Sequence, residues 1–180
     1  LQVARMTEGS ARDQSLARAE EGADRLHRTL EQLLLLARVE GSLSFDDGTQ
    51  YSAEQVARLA IADATGGERL RIKLHLPAEL SSAPLQMPAV LSIAALRNLL
   101  DNALRHTSED CAVELRLETI GNRVRFVVRD HGPGIAPDDL QHLTQRFWRN
   151  GQSTGCGLGL AIVQAIVQRC DCALHFDRDQ

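Results

Sequence analysis

Three short stretches of this sequence carry side chains whose types and spacing suit them to chemistry. The first is Arg97-Asn98-Leu99-Leu100-Asp101-Asn102-Ala103-Leu104-Arg105-His106. On a helix, Asn98, Asn102 and Arg105 stand at i, i+4 and i+7 and share one face, with Leu99, Leu100 and Ala103 toward the other side. A carboxamide oxygen can ligate a hard cation such as Mg2+, and a nearby guanidinium can hold phosphate oxygens. Alone, such a face is more often plain solvated surface. The second stretch is Asp130-His131-Gly132-Pro133-Gly134, closing an apolar strand. A carboxylate followed by alternate glycines lets backbone approach a ligand without a Cβ clash, although by itself it is as readily a turn. The third is Gly155-Cys156-Gly157-Leu158-Gly159-Leu160, opening a helix whose first N–H groups can meet an anion. It lacks the G-x-G-x-x-G spacing of dinucleotide folds and follows an irregular loop, not a strand. Cys156 reads as a small neutral residue between two glycines.

Composition narrows what this chemistry can be. The 180 residues are 43% hydrophobic and 24% charged, which is ordinary globular composition. The net charge of −4 argues against a nucleic-acid binder driven by bulk charge. Lys73 is the sole lysine and sits in Arg-Ile-Lys-Leu, so no P-loop exists. Cys111, Cys156, Cys170 and Cys172 have no C-x-x-C spacing and, with no secretory signal in view, read as free thiols. No apolar run approaches the roughly 18–20 residues of a membrane span.

The elements that must position these residues follow from periodicity. Leu1 to Met6 reads as the tail of a preceding element and Thr7–Ser10 as a turn, with Ser10 or Asp13 capping the next helix. Over residues 11–40, Leu16, Ala19, Ala23, Leu26, Leu30, Leu33 and Ala37 recur at alternating steps of three and four, a heptad seam that calls for a partner helix. Composition shifts near residue 41, which marks a domain boundary. Beyond it the pattern predicts a helix over 51–63 preceded by a short strand, a strand over 69–76, and a helix from Pro88 to His106. A hairpin of strands 111–120 and 123–130 follows, turning at Gly121-Asn122. Residues 135–154 are irregular with a short helix near 138–143. A helix over 157–168 and a strand over 172–176 complete the chain.

In order and spacing, the three stretches resemble the N, G1 and G2 boxes of the histidine kinase ATP-binding domain. Leu143-Thr144-Gln145-Arg146-Phe147-Trp148-Arg149 resembles its F box. The helix ending in Gln32-Leu33-Leu34-Leu35-Leu36-Ala37-Arg38 is similar to the second helix of the dimerisation and phosphotransfer hairpin that precedes that domain. The likeness covers nearly the whole chain. It implies an α+β fold: a two-layer α/β sandwich of the Bergerat type, a mixed sheet with helices on one face. On this likeness residues 1–40 are part of the hairpin, lacking the phosphoacceptor histidine, and 41–180 are the catalytic ATP-binding domain. The resemblance implies a kinase that moves the γ-phosphate of ATP to a histidine, for relay to a response-regulator aspartate. It also implies a homodimer formed through the hairpin, no direct nucleic-acid partner, and a cytoplasmic domain of a bacterial inner-membrane protein.

The resemblance likewise implies roles residue by residue. Asp130 would accept a hydrogen bond from the adenine amine, and Asn102 would bind Mg2+. Asn98 and Arg105 would act beside the phosphates and, with Asn102, form the catalytic set. His106, Gly132, Gly134, Ile135, Arg146, Gly155, Gly157, Leu158, Gly159 and Leu160 would line the nucleotide, with 135–154 as a lid. Several positions depart from the family pattern. His106 stands for the usual tyrosine, Arg105 for lysine and Leu143 for the first F-box phenylalanine. No H-[DE]-x-x-[TN]-P phosphoacceptor box is present; His27 lies in His-Arg-Thr-Leu, and the box would lie upstream of Leu1. ATP hydrolases of the gyrase or MutL type carry a glutamate general base four residues before the Mg-binding asparagine. Asn98 occupies that position here and cannot take a proton. The remaining alternative is a non-catalytic dimerisation module with a degenerate nucleotide site.

Overall fold

The computed structural model describes residues 2–41, 45, 49–64, 70–149 and 156–177; of the first helix, the side chains of residues 2–12, 21 and 25 are not described. Helix α1 (Gln2–Glu40) is continuous through Thr7–Ser10, where a turn was expected. No proline interrupts residues 2–40. A single interior glycine costs only about 1 kcal/mol against alanine, which Gly9 evidently does not convert into a break. Ser10 and Asp13 are therefore interior residues, not caps.

Helix α2 (Ala53–Asp63) starts at a reciprocal capping box. Gln55 N donates to Ser52 Oγ at 3.3 Å and Ser52 N donates to Gln55 Oε1 at 2.8 Å. The short strand expected before it reduces to one bridge, Ser52 to Pro84. Strand β1 (Ile72–His75) is shorter than the expected 69–76. Arg71, just before it, instead turns its guanidinium onto the carbonyls of Thr107, Ser108 and Cys111, fixing the segment that follows the next helix. Helix α3 (Ala89–His106) begins after Pro88, as expected. Strands β2 (Val113–Ile120) and β3 (Arg123–Arg129) form the expected hairpin, with Gly121 at φ 60 in its turn. A 3₁₀ turn at Pro137–His142 and helix α4 (Gly159–Arg169) follow.

The sheet has order β1-β2-β3, with β1 parallel and β2/β3 antiparallel. This is the expected mixed sheet. Val113, Leu115 and Leu117 of β2 are fully buried against α2 and α3. Val124, Phe126 and Val128 pack on the same cluster, as their alternation predicts. The strand expected at Cys172–Phe176 is absent; the segment pairs with no described strand. An alternating run becomes a strand only where a neighbouring edge takes up its ladder.

A second cluster joins Leu36 and Val39 of α1 to Leu91 and Ala95 of α3 and to Leu158, Ile162, Val163 and Ile166. The end of α1 therefore shares a core with α3 and α4. Arg169 Nη1 donates to the Val39 carbonyl, and the Arg38 and Arg169 guanidinium groups flank the Phe45 ring at 5.0 and 5.3 Å.

Candidate functional site

Helix α3 is the spine of the site. Leu100, Ala103 and Leu104 are buried and anchor it, while Asn98 and Asn102 are half-buried and Arg105 and His106 exposed. The amphipathic split expected from spacing is thus realised. From Asn98 to His106 the helix advances about 12 Å at 1.5 Å per residue. Each end meets one of the two glycine-bearing stretches.

At the His106 end, Gly132 N donates to Asp130 Oδ1 at 2.8 Å. A Cβ on Gly132 would stand 2.7 Å from the His106 carbonyl oxygen and 3.0 Å from Asp130 Oδ1. Only glycine lets this backbone close on α3, and the closure sets Asp130 beside the helix terminus. Gly134 has φ 75, Ile135 is half-buried, and Asp130 itself is exposed.

At the Asn98 end, α4 begins at Gly159, and its N-cap, Leu158, offers no side-chain acceptor. Among the described residues no side chain caps the leading N–H groups of α4, which is the arrangement that favours an anion. Gly157 has φ 70, and a Cβ there would stand 2.7 Å from both Phe147 C and Trp148 O. Phe147 N donates to Gly157 O at 2.9 Å, tying the loop to the Gln145–Trp148 turn. A Cβ on Gly159 would lie 3.1 Å from Asn98 Oδ1. Leu158 is fully buried and Leu160 half-buried. Gly155 lies outside the described residues.

The two asparagines differ in their commitments. Asn98 Nδ2 donates to the Ala94 carbonyl at 2.8 Å, and its Oδ1 accepts from Gln32 Nε2 at 3.2 Å. The Asn102 side chain makes no hydrogen bond among the described residues. Arg97 and Asp101 form an i,i+4 pair at 3.7 Å on another side of the helix. Arg146 is ion-paired with Glu40 of α1. Leu143, the departure from the F-box pattern, is buried and fills its place in the packing.

Sequence reasoning did not find Gln32, Glu40 or Thr107. Gln32 and Glu40 meet the site across more than sixty residues, a distance that no local spacing reveals. Thr107, beside His106, is 5% exposed, and its Oγ1 has no hydrogen-bond partner among the described residues.

Residues 91–179 match the sequence family described as Histidine kinase-, DNA gyrase B-, and HSP90-like ATPase. The chain is 37% identical over 165 residues to the sensor protein QseC of Salmonella typhimurium, covering 87% of this chain and 34% of that protein. It superposes on the histidine kinase domain of the E. coli osmosensor EnvZ with a TM-score of 0.55 at 33% identity, covering 72% of this chain and 80% of that one. It superposes on full-length ShkA, solved in complex with AMPPNP, with a TM-score of 0.61 at 26% identity, covering 83% of this chain and 32% of that one. The fold is that of an ATP-binding domain of the histidine kinase type. The chain belongs to the sensor histidine kinases, as its order of boxes suggests. It spans about a third of the length of the curated relatives it matches. Among the described residues no helix is long and apolar enough to cross a membrane.

Proposed function

We propose that the chain binds Mg-ATP along the Asn102 face of α3 and positions its γ-phosphoryl group for transfer to a histidine on a dimerisation hairpin, from which it is relayed to a response-regulator aspartate. The observation that carries this reading is the spacing of two glycine-built approaches along one helix. Asp130 and Gly132 close on its His106 end, and the uncapped start of α4 closes on its Asn98 end.

The residues fit the nucleotide. Gly132 and Gly159 let both loops close on α3 without a Cβ in the way, which brings the candidate ligand groups together. Asp130 commits Oδ1 to Gly132 N, and its other oxygen can accept from an exocyclic amine. A carboxylate there favours adenine, since guanine presents a carbonyl at the matching position. His106 can lie against the base. The uncommitted Asn102 carboxamide suits an oxygen-seeking Mg2+. Arg105 and the α4 N-terminus offset phosphate charge, and Leu158 and Leu160 set the packing of the glycine loop. Bound ATP supplies the phosphoryl group; the protein supplies positioning and charge neutralisation, which phosphoryl transfer chiefly needs. Arg146, now paired with Glu40, would share its guanidinium between that carboxylate and the phosphates. Asn98 cannot serve as a base for water, so transfer is favoured over hydrolysis.

In this reading residues 1–40 belong to the hairpin and 41–180 to the catalytic domain. The heptad seam of α1 is the surface for a second copy, and the whole acts on the cytoplasmic side of a bacterial inner membrane. Calorimetry with Mg-AMPPNP tests the site. Asp130→Asn should weaken binding by about tenfold or more, the effect of losing a charge-assisted hydrogen bond. Unchanged affinity would remove Asp130 from base recognition.

A further inference from the structure

Helix α1 reaches two residues that the nucleotide reading places at the phosphates. Gln32 Nε2 donates to Asn98 Oδ1 at 3.2 Å, and Gln32 Oε1 accepts from Cys156 Sγ at 3.0 Å. One carboxamide of α1 thus bridges the polar face of α3 and the edge of the glycine loop. Farther along α1, Glu40 holds Arg146. Leu36 and Val39, buried between these two residues in the chain, fix that stretch of α1 on α3 and α4.

We propose that α1 competes with the nucleotide through Gln32 and Glu40, so that docking of α1 and binding of Mg-ATP oppose each other at this site. The inference rests on the nucleotide reading above. Both polar ends of Asn98 are engaged, one by its own helix and one by Gln32. Its oxygen keeps a second lone pair, but a cation arriving there is repelled by the Gln32 amide hydrogens aimed at the same atom, so cation and Gln32 weaken each other. Phosphates drawing on the N–H groups that lead into α4 shift the glycine loop, and Cys156 moves with it. A thiol is a weak donor, so the Cys156–Gln32 contact yields first. Gly159 abuts Asn98 so closely that displacement of the α4 start is passed on to the Asn98–Gln32 bond. Glu40 draws the Arg146 guanidinium toward α1 and offsets its charge, so it competes with phosphate for that group. That pair is about half exposed on each side and contributes less than the Gln32 bridge. Coupling is reciprocal: whatever nucleotide does to α1, release of α1 does to nucleotide affinity.

The test uses the 180-residue chain, Mg-AMPPNP and calorimetry. Gln32→Leu removes both contacts and preserves helix propensity. It should bind about fivefold tighter than wild type, the lower end of typical site–site coupling. Gln32→Glu cannot donate to Asn98 and should shift affinity the same way, and Glu40→Gln should do so by less. Hydrogen exchange gives a second readout. Amides of residues 33–40 should exchange faster on addition of Mg-AMPPNP in wild type, and show a smaller change in Gln32→Leu. Affinity unchanged or weakened in both Gln32 variants, with wild type binding normally, would overturn the competition alone. No binding by wild type would overturn the nucleotide reading itself.

Discussion

Thr107 shows what single residues here add and cost. Its hydroxyl is buried without a partner among the described residues, next to His106, against whose carbonyl Gly132 packs. A buried hydroxyl that makes no hydrogen bond forfeits its hydration with nothing in exchange. Thr107→Val should therefore be neutral or raise stability by up to about 1 kcal/mol, read as the midpoint of thermal unfolding; a clear loss would reveal a partner for Oγ1. Glu54 is the opposite case. Hydrogen bonds from Ser81 and then Arg58 hold its carboxyl below the ordinary value of 4.5. A depressed folded value contributes stability that is present above 4.5 and lost as pH falls through the folded value. Acid unfolding of Glu54→Gln should accordingly converge on that of wild type below this range and diverge above it, which a urea titration at several pH values would measure. The placement of Asn102, Asp130 and Gly159 is legible in the sequence because it depends on near neighbours: helix phase, strand end and helix start. Gln32 was not, because its role depends on which face of α1 lands on α3.

At the scale of elements, α1 is a helix with two working faces. Leu36 and Val39 are buried, whereas Leu26 is 73% and Leu30 55% exposed, on the seam that the heptad spacing picks out. Apolar surface so arranged gains only by meeting another helix. Glutamate at both Leu26 and Leu30 should convert a dimer to a monomer in sedimentation while leaving Mg-AMPPNP affinity near that of wild type. An unaltered sedimentation coefficient would remove the seam from assembly. The heptad was readable because it repeats; the helix through Thr7–Ser10 was misread because turn-forming residue types outweighed the lack of proline. The strand expected at 172–176 failed for a different reason, since alternation states which face could be buried and not whether a ladder is available. Burial also pushes the Cys170 and Cys172 thiols upward at the start of that segment.

Across the molecule, the composition shift near residue 41 does not coincide with a break in packing. Leu36 and Val39 sit in the same cluster as Leu91 and Ile162. Leu36→Ala should lower the stability of the ATP-binding region by about 2–4 kcal/mol, as for a core truncation. Leu16→Ala, on exposed surface of the same helix, should change it by less than about 0.5 kcal/mol. Equilibrium denaturation followed at Trp148 would report both. Equal effects would mean that α1 and the catalytic region fold independently. The layered fold was legible because each amphipathic segment declares its buried side; the shared core was not, since it depends on where the two patterns meet.

A helix gripped at one end and bare at the other is a mechanical arm. From Asp13 to Gln32 α1 extends about 28 Å at 1.5 Å per residue. A tilt of about 5° at the anchored turns moves Asp13 by roughly 2.5 Å over that length. The reverse also holds: a push of a few ångströms far along the arm arrives at Gln32 as a small rotation. Hydrogen bonds tolerate little rotation before they weaken, so the Gln32 contacts convert a large, soft displacement into a short, steep change beside Asn98.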